Sequence, residues 1–129
     1  MSSGAAVNVA LWIAAILLAL AMFAAGFGKL IQAKEKLVTR MAWAQDFSPG
    51  MIKVIGGVEV LAGIGLILPA VTGIAPILVP LAATGIAIVM IGAIVTHLWR
   101  GETKEILAPI VLLALAVFVA WGRFGPYAF

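Results

Sequence analysis

The chain has no cysteine at all, one histidine and one tyrosine among its 129 residues. Without thiols there is no disulfide, no thiol redox chemistry by this chain, and no cysteine-ligated zinc or iron–sulfur centre. One histidine offers no metal-ligand spacing, and nothing matches the zinc or di-iron patterns. Charge is scarce too. Lys, Arg, Asp and Glu make up 10% of the residues, against roughly 25% in soluble domains. No basic patch with interleaved aromatics is present, so nucleic acid is not expected as a partner.

Apolar sequence fills the space, at 65% of residues. A bilayer span needs about 20 mostly apolar residues. Val7 to Phe27, Met51 to Val71 and Ile77 to Leu98 reach that length, and Ile106 to Phe124 nearly does. The runs are continuous rather than alternating, which disfavours a β-barrel. The expected fold is an all-α membrane protein, a bundle of four transmembrane helices forming one domain over residues 1–129. The first run lacks a basic segment before it and exceeds a signal-peptide core of about 7–15 residues, so it reads as an anchor.

The few cations are unevenly shared. Lys29, Lys34, Lys36, Arg40 and Lys53 flank the first connection, Arg100 and Lys104 the third, and only Arg123 lies opposite. This bias predicts a multi-pass protein of the cytoplasmic membrane, with both termini outside and both charged loops in the cytoplasm.

The segment "KLIQAKEKLVTRMAWAQDFSPG" is the longest connection. Leu30, Lys34, Leu37, Val38 and Met41 share one helical side, predicting a short amphipathic interfacial helix between spans one and two. Trp43 is expected as an interfacial anchor. Ser48 suits an N-cap and Pro49 the first helical position. "LPAVTGIAP" reads as a turn ended by prolines, and Pro109 predicts a kink or a late start of span four.

Glu59 stands alone among apolar residues in "KVIGGVEVLAGIGLILP". Ten residues after Pro49, it is about 15 Å along the helix, half of a ~30 Å hydrocarbon core. Gly56 and Gly63 share its helical face, so it should point into the bundle. Depth reckoning brings Thr84 to within about one turn of it and finds no cation at its level. An unpaired carboxylate in apolar surroundings favours its neutral form, so Glu59 is expected to be protonated. As a structural residue it would donate a hydrogen bond to Thr84 or to a carbonyl. As a functional one it would handle protons or anchor a ligand, since acids inside a membrane usually mark function.

His97, Thr96, Lys29 and Lys53 are expected to ring a polar mouth leading to Glu59, with His97 solvated by headgroups and both lysines reaching back to the interface. The candidate ligand-binding set is therefore Glu59, Thr84, His97 and Lys29, with Glu59 the candidate catalytic residue. Gly85, Gly92 and Thr96 form a small-residue stripe on span three, suited to packing within the bundle or in a homo-oligomer.

Three stretches, "FAAGFGKL", "IGGVEVLAGIGLILP" and "GAIVTHLWRGE", occur in this order with Lys29, Glu59 and His97. Together they resemble the DoxX-like family of small four-helix membrane proteins. That family takes its name from a subunit of a thiosulfate:quinone oxidoreductase. Other relatives are linked with oxidative-stress complexes or act as membrane chaperones for receptor assembly. The resemblance implies no catalytic set. Two functions are expected in the alternative. In one, the protein is a non-catalytic membrane subunit of a partner oxidoreductase, holding a quinone or lipid near Glu59. In the other, it is a membrane enzyme or transporter in which Glu59 passes protons to or from a hydrophobic substrate.

Overall fold

The computed structural model describes residues 2–129. It comprises α1 (Ser3–Ile31), α2 (Lys34–Val38), α3 (Pro49–Thr72), α4 (Leu78–Trp99) and α5 (Leu107–Phe124), with 3-10 turns at Ala42–Asp46 and Thr103–Ile106. Four of these helices are long and apolar enough to cross a membrane. They pack in a ring, α1 against α3, α3 against α4, α4 against α5 and α5 against α1. Both termini lie at one end with the α3–α4 turn. The two charged connections lie at the other, here called the loop end.

Local sequence explains the boundaries. The Ser2 hydroxyl accepts from the Ala5 amide and the Ser48 hydroxyl from the Met51 amide, each at 3.1 Å, capping α1 and α3. Pro49 occupies the first turn of α3, as expected. Helix α3 runs on past Pro69 to Thr72, so the expected turn starts later than "LP" suggested. It ends where Gly73 adopts a left-handed conformation, φ 72°, and donates to the Pro69 carbonyl at 3.0 Å. Pro69 removes one backbone donor from the helix, and a neighbouring membrane-spanning helix tolerates that loss. Pro109 gives span four a late start, because a 3-10 turn precedes it and the α-helix begins at Leu107.

The amphipathic connection is more broken than one helix. Leu30 and Ile31 continue α1, and only Lys34–Val38 makes an α-helical turn before the 3-10 segment. Its apolar side folds against the start of α3. Leu37, Ala44 and Ile52 are buried together, with Met41, Trp43 and Phe47 packed on them.

Most of the apolar core fills the termini half of the bundle. Leu18 and Met22 of α1, Leu66 of α3, Ala83 and Ile86 of α4, and Ala116 and Val119 of α5 are almost wholly buried there. Arg123 is also buried at that end, and it does more than bias topology. Its Nη1 donates to Asn8 Oδ1 at 2.8 Å and to the Tyr127 carbonyl at 2.9 Å, tying α5 to α1. The Phe129 ring lies 4.0 Å from its guanidinium carbon, a cation–π contact.

Candidate functional site in the loop half of the bundle

Helices α1 and α3 meet backbone to backbone at Gly26 and Gly56. A Cβ on Gly26 would lie 2.6 Å from the Gly56 carbonyl oxygen, and one on Gly56 would lie 2.8 Å from Lys29 Cβ. This crossing sets the position of Lys29. Its Cβ is level with Gly56, and its ammonium reaches one turn further into the bundle, 2.8 Å from Glu59 Oε1. The direction follows from helix geometry. Side chains lean toward the N-terminus of their own helix. On α1 that direction is inward from the loop end. On antiparallel α3, Glu59 leans the other way, toward Lys29.

Two expectations fail here for the same reason. Glu59 does have a cation at its level, because the stem of Lys29 spans the depth that separates the two backbones. Lys29 does not reach back to the interface, and its side chain is only 7% exposed. Glu59 faces the bundle as expected, at 4% exposure, with Gly63 packed under the Phe23 ring beside it. Thr84 is not its partner. The Thr84 hydroxyl donates to the Pro80 carbonyl of its own helix at 2.8 Å, a bond that serine and threonine readily make in helices. Lys53 does stay exposed and donates to the Leu30 carbonyl at 2.8 Å. It therefore caps the end of α1 instead of joining the mouth.

The Lys29 ammonium is the one group that meets buried Glu59 Oε1 among the described residues, and no other donor bonds that oxygen. The ammonium also lies 5.6 Å from the centre of the Trp43 ring. Trp43, expected as an interfacial anchor, is half-buried and covers the pair from the connection.

Lys29 and Glu59 line a cavity of about 480 Å³. Val54, Ile55 and Val58 of α3, Met90, Ala93, Thr96 and His97 of α4, and Pro109 and Leu112 of α5 form its walls, with Met41, Trp43 and Phe47 of the connection across it. Small residues on α4 and α5 leave this space. Gly92 is one of them, and a Cβ there would meet nothing within 4 Å. The small-residue stripe thus borders open space: Gly92 and Thr96 line the cavity, and Gly85 lines a second groove of about 420 Å³ between α3 and α4. Glu59 borders both spaces.

His97 is held by protein instead of headgroups. Its Nδ1 donates to Glu102 Oε1 at 3.0 Å, and the same oxygen accepts from Arg100 Nε at 3.1 Å. Arg100 Nη1 in turn donates to Asp46 Oδ2. Asp46 sits between Trp43 and Phe47, so this chain of bonds ties the covering connection to the α4–α5 turn. The hydrogen bond from His97, with the charge of Arg100, holds the Glu102 carboxyl below its ordinary value. The bond to Asp46 raises Arg100 further.

The structure therefore gathers Lys29, Glu59, Thr96 and His97 around one cavity, and leaves Thr84 and Lys53 outside it. Sequence reasoning missed Asp46, Arg100 and Glu102. The spacing of Arg100 and Glu102 from His97, across a glycine turn, was the available signal for part of that set.

A family model described as the DoxX-like family matches residues 13–119. The chain belongs to the DoxX-like family. No curated protein and no solved structure matches it. The matched segment contains Lys29, Glu59, His97 and all the cavity-lining residues named above. The protein is accordingly a small multi-pass membrane protein of that family, with its four apolar helices in a lipid bilayer.

Proposed function

We propose that this DoxX-like protein is a non-catalytic membrane subunit or accessory factor of an oxidoreductase system, holding a quinone or lipid beside Glu59. The observation that carries the reading is the buried Lys29–Glu59 pair in the wall of an apolar cavity, where Glu59 Oε1 has no partner but the Lys29 ammonium. A quinol or lipid hydroxyl would donate to that oxygen, and a carbonyl oxygen would accept from Lys29. The volume of about 480 Å³ lies within the usual 300–1,000 Å³ range of ligand pockets. Trp43 and Phe47 supply aromatic faces for a ring. The family's namesake, a subunit of a quinone-linked oxidoreductase, supports the accessory role. So does the short polar inventory, which contains no cysteine and no evident nucleophile–base pair. The cation bias supports both charged loops in the cytoplasm and both termini outside.

The test keeps Trp43 as the only tryptophan by replacing Trp12, Trp99 and Trp121 with phenylalanine. Titration with a short-chain quinone should quench Trp43 saturably, at one site per chain. Glu59→Gln should weaken quinol binding about tenfold, the loss of a hydrogen bond to a charged group. If neither quinones nor lipids change Trp43 emission saturably, the binding reading fails. Pull-down in mild detergent tests the accessory role, which needs a stoichiometric oxidoreductase partner.

A second reading has its own support. Glu59 borders the loop-end cavity and the groove on the termini side, so one carboxylate is within reach of both. In an enzyme or transporter it would carry a proton for a hydrophobic substrate. Glu59→Gln would then fold and bind ligand normally but fail to rescue a deletion strain. Full rescue would leave only the accessory reading.

A further inference from the structure

A third cavity, of about 260 Å³, opens at the loop end, with the Lys29 stem in its wall. Gln32, Lys34 and Glu35 line it from the end of α1 and from α2, and Ile52 and Lys53 from the first turn of α3. Leu37 and Ile52 give it an apolar floor, at 1% and 2% exposure. We propose that this cleft binds the phosphodiester headgroup of a singly charged anionic phospholipid.

The argument starts from unused charge. Among the described residues, no carboxylate lies within ion-pair distance of Lys34 or Lys53. Lys53 Nζ donates to the Leu30 carbonyl at 2.8 Å, and Lys34 Nζ to the Gln45 carbonyl at 3.4 Å. An ammonium has three N–H groups, so each lysine keeps two for another acceptor. Both bond backbone carbonyls, and both residues line one cleft.

Position selects the acceptor. The cleft lies where α1 ends and α3 begins, at the level of the headgroups when the four helices span a bilayer. Basic pockets at such positions take lipid phosphates. The apolar floor suits the glycerol and the start of an acyl chain, which a soluble anion lacks.

Charge selects the class. Lys29 is neutralised by Glu59, which leaves two lysines and Glu35 around the cleft. With Arg40, whose guanidinium bonds the Gln32 side chain at the cleft, the net charge is +2, an excess that favours an anionic over a zwitterionic headgroup. A phosphate monoester would bring a second negative charge toward Glu35. Lys29 lines both spaces, but the lipid site draws its charge from Lys34 and Lys53, so neither proposal needs the other.

Delipidated full-length protein in mild non-ionic detergent would be titrated with phosphatidylglycerol, phosphatidylcholine, phosphatidate and inorganic phosphate, and read by native mass spectrometry. Phosphatidylglycerol should bind one per chain and most tightly. Each lysine near a lipid surface contributes about fivefold, so Lys34→Gln with Lys53→Gln should weaken it about thirtyfold. Lys34→Gln alone, which leaves the cap on α1 intact, should weaken it about fivefold. Lys36→Gln with Lys104→Gln removes equal charge outside the cleft and should change it less than about twofold, given screening at an exposed surface. Glu35→Gln should shift preference toward phosphatidate. Equal losses from the two double variants would overturn the proposal in favour of diffuse charge. Phosphatidylcholine binding as tightly would overturn it as well. Displacement of the lipid by millimolar inorganic phosphate would make the soluble anion the occupant and refute the lipid assignment.

Discussion

The two halves of this bundle solve the same packing problem differently. Toward the termini, Leu18, Leu66, Ile86 and Val119 are almost wholly buried, and the open space there is the groove of about 420 Å³ between α3 and α4. Toward the loops, the same four helices line a larger cavity that contains the ion pair, with Gly92, Ala93 and Ala108 where larger side chains would fill it. The filled half contains no acid. The hollow half contains a buried ion pair in which Glu59 Oε1 meets the Lys29 ammonium and no other donor. Interiors normally pack as densely as organic crystals, and buried charges are normally fully bonded. A half that departs from both rules at one place reads as built for a guest.

The largest effect should come from splitting the ion pair. Lys29→Ala leaves Glu59 buried and uncompensated, and is expected to destabilise the detergent-solubilised protein by about 3 kcal/mol. Replacing both partners with apolar residues, Lys29→Met with Glu59→Leu, should recover stability to within about 1 kcal/mol of the parent while losing ligand binding. Unfolding curves in a denaturing detergent would compare the three proteins. A mild Lys29→Ala would mean that the lysine escapes to the interface after all.

A pair of alanines on α4 compares the halves directly. Ala83 is fully buried in the filled half, so Ala83→Leu should cost about 2 kcal/mol through overpacking. Ala93 faces the cavity. Ala93→Leu should therefore be tolerated within about 1 kcal/mol and should occupy the ligand's space. Equal damage from both would show that the loop half is as tightly packed as the other.

How much of this was legible in the sequence depends on the range of the signal. Span lengths, the Ser48–Pro49 start and the inward face of Glu59 all follow from composition or from neighbours within one turn. The partner of Glu59 did not. Depth reckoning treats a residue as lying at the level of its backbone, and Lys29 was assigned to the interface on that basis. Its stem carries the charge a full turn away, and helix polarity decides the direction. Thr84 failed conversely, since its hydroxyl found a carbonyl on its own helix before it could reach across. The tie from Asp46 to Arg100 joins residues 54 positions apart. No local pattern encodes such a pairing, whereas the His97–Glu102 bond spans only five positions.

The smallest effects should lie in that tie. Asp46→Asn removes an ion pair at the surface of the connection, and overall stability should barely move. Ligand exchange should quicken, because Trp43 and Phe47 would be less firmly held across the cavity. Stopped-flow quenching of Trp43 would measure it, and unchanged exchange would show that the connection does not limit access. Acid should act alike. The Glu102 carboxyl is held below its ordinary 4.5, so its contribution is complete above that pH and is lost as pH falls through the lowered value. Faster exchange is expected only below about pH 4.5, and Glu102→Gln should abolish the step that this group contributes.

The contrast between a filled and a hollow half is tested most directly by what the protein carries out of the membrane. Parent and Ala93→Leu would be extracted in the same mild detergent and their bound small molecules identified by native mass spectrometry. The account predicts one apolar molecule with an oxygen-bearing head per parent chain, and none in an equally folded Ala93→Leu. An empty parent, or the same molecule retained equally by both, would contradict it.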